Sequence, residues 1–107
     1  MRVISGTSRG RRLTAFKGNK VRPTSDRVRE AMFSILQSRL TGFSGLKVLD
    51  LFAGSGALAI EALSRGVSSA CLVEKAQSSA EIIRENLQRC DLASRADVIV
   101  RAAFLAF

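Results

Sequence analysis

Histidine, tryptophan and tyrosine are absent from this 107-residue chain, and its single proline is Pro23. Without histidine, and with Cys71 and Cys90 as the only cysteines, the chain offers no zinc ligand set and no disulfide framework. No metal site is expected. No apolar run approaches the roughly 20 residues that a membrane helix needs. Met1–Gly6 gives way to arginines and polar residues instead of continuing into a signal-peptide core. A cytoplasmic protein with no membrane partner is the expectation. Aromatics are equally sparse at the amino terminus, where Phe16 stands alone through residue 22. Contact of that segment with a nucleic acid is therefore expected to run through phosphates, with little base stacking.

With 47% hydrophobic residues and a mean hydropathy of +0.15, the composition is globular and large enough for one small core. The net charge of +8 is unevenly placed. Residues 1–29 hold nine basic residues, among them Arg2, Arg9, Arg11, Arg12, Arg22, Arg27 and Arg29, against the single acid Asp26. The remaining residues are balanced, so the whole excess lies in the first quarter. Such asymmetry points to a polyanionic partner, because neutralised phosphates release condensed counterions.

Arg2–Ser5 and Arg12–Phe16 read as short strands of a basic hairpin, joined through a loop rich in glycine and arginine. Pro23 favours an extended residue before it, and Thr24, Ser25 or Asp26 is placed to cap a helix. In that helix Val28, Ala31, Met32, Ile35, Leu36 and Leu40 recur at helical spacing, with Arg27, Glu30, Ser34, Gln37 and Ser38 opposite. It should end near Thr41–Gly42.

The centre of the chain is Val48-Leu-Asp-Leu-Phe-Ala-Gly-Ser-Gly-Ala-Leu58. An apolar strand, an acid and two glycines lead into a helix that Gly66 closes, which is how nucleotide-binding α/β units open. Ser69–Glu74 is a second apolar strand ending in an acid. Ser78 and Glu81 have capping-box spacing, and their helix carries Ala80, Ile83, Leu87 and Cys90 on one face. Asp97–Arg101 is a third strand. The β-α-β-α-β order calls for a parallel sheet with right-handed crossovers.

Gly54-x-Gly56-x-x-Ala59, with Glu74 lying 18 residues after Gly56, formally satisfies the permissive dinucleotide fingerprint. Asp50 argues against it. A pyrophosphate at the turn would meet this carboxylate at a cost of several kcal/mol, on the order expected at an effective dielectric near 20. S-adenosylmethionine carries no phosphate and has net positive charge, so Asp50 would attract it. Glu74 would accept ribose hydroxyls from either ligand.

The same stretch resembles the first motif of the RsmD-type bacterial 16S ribosomal RNA guanine-N2 methyltransferases. The resemblance extends to Met1-Arg-Val-Ile-Ser-Gly6, Gly10-Arg-Arg-Leu13 and Arg22-Pro-Thr-Ser-Asp-Arg-Val-Arg-Glu-Ala-Met-Phe33. It implies a Rossmann-like class I methyltransferase fold with S-adenosylmethionine as donor. The acceptor would be a guanine amine of 16S ribosomal RNA, free or in a small-subunit assembly particle. Cofactor positions are then expected at Asp50, Phe52, Ala53, Gly54, Ser55, Gly56, Glu74 and Lys75. RNA-facing positions are expected at Arg2, Arg9, Arg11, Arg12, Arg22, Thr24 and Arg27. Residues 1–22 form the arm, and residues 23–107 the beginning of the methyltransferase domain.

Two features depart from the family. Ala103 stands where an acid is expected to reach the adenine amine, a loss of about 1 kcal/mol if one hydrogen bond is missing. The Asn/Asp-Pro-Pro-aromatic loop that orients the acceptor amine has no counterpart, since Pro23 is in the wrong context. The chain therefore reads as the amino-terminal half of such an enzyme, truncated after about the third strand and lacking a catalytic residue. Its first strand should lie at an open sheet edge. A non-catalytic RNA-binding module is the alternative, and a dinucleotide-dependent oxidoreductase is disfavoured by Asp50.

Overall fold

Three apolar segments of strand length separated by helical segments can bury their backbones only as a parallel sheet with returning helices. The computed structural model describes residues 1–15 and 25–102 and shows that arrangement. The elements are α1 (Asp26–Arg39), β1 (Lys47–Asp50), α2 (Ala57–Ser64), β2 (Ser69–Glu74), α3 (Gln77–Arg89), a single 3-10 turn (Ala93–Arg95) and β3 (Ala96–Val100). The sheet order is β1-β2-β3. Both pairings are parallel, with Asp50 opposite Leu72 and Glu74 opposite Val100. As expected, β1 is an edge strand of this sheet, and its Leu49 is 52% exposed.

The core lies between the sheet, α2 and α3, around Ile60, Leu63, Leu72, Ile83 and Leu87. Seven of the eight α2 residues are buried, including Glu61 and Ser64. A helix apolar nearly all round must be covered on every side. Here the amino-terminal segment supplies one cover, inserting Val3 and Leu13 into the core. The four core positions expected on α3, namely Ala80, Ile83, Leu87 and Cys90, are all buried.

Several local expectations are corrected. The amino-terminal hairpin has no strands over its described residues. It is held by one antiparallel bridge between Arg2 and Arg12 and by backbone bonds such as Val3 N to Arg11 O at 2.9 Å. Part of its backbone bonds to the helices as well, as the Thr7 amide does to Ser64 O at 2.8 Å. Helix α3 begins at Gln77, so Ser78 does not cap it. The Ala76 amide at its start donates to Glu74 Oε2 at 3.1 Å. β3 starts at Ala96 and ends at Val100, one residue earlier at each end than expected.

The largest correction concerns α1. Ser25 caps it, accepting from the Val28 amide at 3.2 Å, but the apolar stripe does not pack inward. Val28, Met32, Ile35, Leu36 and Leu40 are all exposed, and the only buried residues of α1 are Arg29 and Phe33. Arg29 reaches the buried carboxylate of Glu61, and the Phe33 ring meets Phe43 edge-on at 6.1 Å with the Arg65 guanidinium 4.9 Å from its centroid. These anchors rotate the apolar stripe outward.

Candidate functional site

Parallel sheets present ligand crevices at the carboxyl ends of their strands, and the two singled-out acids stand there. Asp50 ends β1 and Glu74 ends the adjacent β2. Between them runs the turn into α2. It is tied to β2 by the Ala53 amide donating to Val73 O at 3.1 Å, and it closes on itself through Gly56 N to Ala53 O at 2.7 Å. Gly54 and Gly56 have φ values of 58° and 84°, in the left-handed region that glycine occupies without strain. A Cβ on Gly56 would lie 3.3 Å from Ile83 Cγ2 and 3.4 Å from Ile60 Cδ1. The φ of Gly56 favours glycine, and the close approach of Ile83 and Ile60 leaves a Cβ little room.

The Glu74 carboxylate bridges two loops. Oε1 accepts from the Gly54 amide at 3.2 Å and Oε2 from the Ala76 amide at 3.1 Å. A carboxylate offers about four acceptor positions, so two remain for hydroxyl donors. Asp50 Oδ1 accepts from the Phe52 amide at 3.2 Å. Burial pushes the Asp50 carboxyl above its usual range; the Phe52 amide opposes that shift, and the neighbouring Glu74 charge adds to it. Two neighbouring carboxylates at the carboxyl end of the sheet favour a cationic guest.

The eight expected cofactor positions cluster, but they differ in access. Phe52, 82% exposed, and Lys75 face outward; Asp50, Gly54 and Glu74 are half-buried. Ala53, Ser55 and Gly56 are buried, and the Ser55 carbonyl is taken by Asn86 Nδ2 at 2.9 Å.

The basic arm lies elsewhere. Ser8 Oγ donates to Cys90 O at 2.6 Å, and the Ser8 amide donates to Ser64 Oγ at 2.9 Å. Arg11 Nη1 donates to Arg89 O at 2.7 Å. These are the carboxyl ends of α2 and α3, whereas the glycine turn precedes α2 and packs against Ile83 and Asn86 of α3. The two regions nonetheless meet at Asn86, whose side chain bonds both Thr14 of the arm and the Ser55 carbonyl of the turn. Arg2, Arg9, Arg11, Arg12 and Arg27 are exposed. Arg2 is bonded to Gly10 O at 2.9 Å, while the side chains of Arg9, Arg12 and Arg27 have no partner among the described residues. Arg22, Thr24 and Ala103 lie outside the described residues.

The residues that dock the arm were not legible as a set. Glu61 accepts from the Ile4 amide at 2.8 Å, the Ser5 amide at 3.1 Å and Arg65 Nε at 2.9 Å. Asn86 pairs with Thr14 in both directions, accepting at 2.7 Å and donating at 2.9 Å. The one available signal was an acid inside the otherwise apolar Ala57–Leu63 stretch.

The family model described as conserved hypothetical protein 95 matches residues 1–107. The chain belongs to the RsmD family. It is 35% identical over 107 residues to ribosomal RNA small subunit methyltransferase D of Haemophilus influenzae, covering 100% of this chain and 54% of that protein. It is 43% identical over 98 residues to the Bacillus subtilis protein YlbH, covering 92% of this chain and 52% of YlbH. The solved structure of Escherichia coli yhhF superimposes with a TM-score of 0.84 at 39% identity, covering 99% of this chain and 55% of yhhF. The RsmD-family chain thus has the α/β architecture of class I methyltransferases and spans about half the length of the curated relatives it matches.

Proposed function

We propose that this chain supplies the donor half of an S-adenosylmethionine-dependent methyltransferase whose acceptor is the exocyclic N2 amine of a guanine in 16S ribosomal RNA. The observation that carries the donor assignment is the pair of carboxylates, Asp50 and Glu74, at the mouth of the glycine turn. The residues present fit this cofactor. Asp50 meets its positive charge, and Glu74 retains acceptor positions for two ribose hydroxyls. Exposed Phe52 and Lys75 flank the opening. When bound, the cofactor supplies an electrophilic methyl group; the protein's part is to hold it in line with the amine.

The RNA assignment rests on family membership together with the exposed arginines 2, 9, 11, 12 and 27. Free RNA or a small-subunit assembly particle in the cytoplasm would serve as substrate. No Asn/Asp-Pro-Pro-aromatic loop occurs within the 107 residues, so these residues bind the donor and the RNA but do not turn over unaided. Isothermal calorimetry of the chain with S-adenosylmethionine and, separately, with NADH tests the donor site. Selective binding of S-adenosylmethionine is expected; equal or stronger binding of NADH would overturn it. The absence of a catalytic loop also keeps alive a second reading, an RNA-binding module without turnover. RNA binding with no detectable binding of S-adenosylmethionine would select it.

A further inference from the structure

Asn86 is fully buried on α3, and its side-chain amide touches both the arm and the glycine turn. Oδ1 accepts from the Thr14 amide at 2.7 Å, and Nδ2 donates to the Thr14 and Ser55 carbonyls, each at 2.9 Å. A primary amide has two N–H donors, so one serves the arm and the other the turn. Thr14 thereby fixes the amide plane, and the amide plane fixes the direction of the Ser55 carbonyl. The other side of the same Ser55–Gly56 peptide is held by the Gly56 amide, which donates to Ala53 O at 2.7 Å. Gly54 and Gly56, both at positive φ, leave this stretch wide conformational freedom of its own. Bonds from outside the turn therefore set its shape. The adjacent Gly54 amide donates to Glu74 Oε1 at 3.2 Å, which carries that setting to a carboxylate of the donor site.

The docked arm also gathers cations. Arg11 Nη1 donates to Arg89 O at 2.7 Å, and Arg89 Nη1 donates to Thr14 Oγ1 at 2.9 Å and to Arg12 O at 3.4 Å. Arg11, Arg12 and Arg89 are thus brought beside one another, and Glu85 offsets one charge at 2.7 Å from Arg89. A polyanion that bridges this group binds the docked arm better than a detached one, and so shifts the arm toward docking. We propose that Asn86 is a positioning residue of the donor site, through which RNA held on the arm tightens binding of S-adenosylmethionine. This coupling rests on the donor and RNA assignments proposed above. It needs no contact between RNA and cofactor, and it is reciprocal: the cofactor should tighten RNA binding by the same factor.

The test measures the affinity for S-adenosylmethionine by calorimetry, with and without a saturating short RNA oligonucleotide of mixed sequence. In the parent chain RNA should tighten binding by about fivefold or more. Asn86→Leu, which leaves Thr14 and the Ser55 carbonyl without their amide partner, should bring that ratio close to one. Ser64→Ala is the matched control. It removes a buried hydroxyl that ties the arm at Ser5 and Ser8 but does not touch the turn, so it should lower the melting temperature and keep the ratio. A ratio of one in the parent, a parent-like ratio in Asn86→Leu, or an equal loss in Ser64→Ala would each overturn the proposal. Amide exchange of the parent supplies a reading that needs no variant to fold. RNA should slow exchange at Gly54 and Gly56 more than in β2, and unchanged exchange there would also overturn the proposal. If the parent binds no S-adenosylmethionine, the donor assignment fails by itself, while exchange at the two glycines still decides whether the arm holds the turn.

Discussion

Arg29 and Glu61 are both fully enclosed, and Arg29 Nη1 lies 3.7 Å from Glu61 Oε1, an ion pair without a hydrogen bond. Arg29 Nη2 is held by the Arg2 carbonyl at 2.9 Å and by Asp26, whereas Nε and Nη1 find no hydrogen-bond partner among the described residues. Glu61, by contrast, accepts from two arm amides and from Arg65. The pair therefore joins α1, α2 and the amino-terminal segment at one point, with Glu61 as its hub.

Removing Glu61 takes the shared buried carboxylate from Arg29 and Arg65 and leaves Arg29 only the half-exposed Asp26. Glu61→Ala should cost about 3–5 kcal/mol, read as a shift in the urea midpoint at unchanged slope. Exchange at the Ile4 and Ser5 amides should accelerate more than exchange in β2. Combining it with Arg29→Met should cost less than the sum of the single changes; strict additivity would show that the two groups do not interact.

Gly6 has a φ of 90°, and a Cβ there would fall 1.8 Å from the Ser64 carbonyl oxygen. Gly6→Ala therefore has to lift the arm off α2. A lowered melting temperature and new proteolytic cleavage within residues 1–15 are the expected outcomes. Gly10 has a similar φ but open space around it, so Gly10→Ala should show only the left-handed backbone cost of about 1–2 kcal/mol. Equal effects at the two positions would mean that contact with Ser64 does not govern docking.

Asp50 links stability to binding with opposite signs. Its carboxyl is raised in the folded protein, first by burial and then by Glu74 against the Phe52 amide. A raised acid contributes stability below the unfolded carboxyl range and loses it as pH rises through the folded value. At neutral pH the ionised group thus weakens the fold. Asp50→Asn, which keeps an acceptor for the Phe52 amide, should raise the melting temperature at pH 7 while weakening S-adenosylmethionine binding. Affinity in the parent protein should fall as pH drops through the raised carboxyl value. An Asp50→Asn variant that binds as tightly as the parent would remove Asp50 from the donor site.

Arg9 and Arg12 are exposed on the arm, and their side chains have no partner among the described residues. Arg9→Ala with Arg12→Ala should reduce the slope of log affinity for RNA against log salt by up to about 2, near one unit per lost phosphate contact. Calorimetry with S-adenosylmethionine should be unaltered. An unchanged salt slope would take these arginines out of the RNA interface. A loss of cofactor binding would show that these arginines also act on the donor site.

The alternation of strand and helix, the turn from Asp50 to Gly56 and the inward face of α3 were all legible in the chain. Each depends on residues within one or two turns of one another, and apolar period and glycine placement record such local geometry directly. Tertiary structure decided the rest. Whether the stripe on α1 faces in or out depends on Arg29 meeting Glu61 and Phe33 meeting Phe43, contacts invisible to helical periodicity. The arm's position depends on Ser8 reaching Cys90, 82 residues away. Charge asymmetry pointed to a polyanionic contact for the arm but carried no record of where it lies. Only the packing of distant segments could place it at the carboxyl ends of α2 and α3, because a hydrogen bond between remote residues leaves no period in the sequence between them.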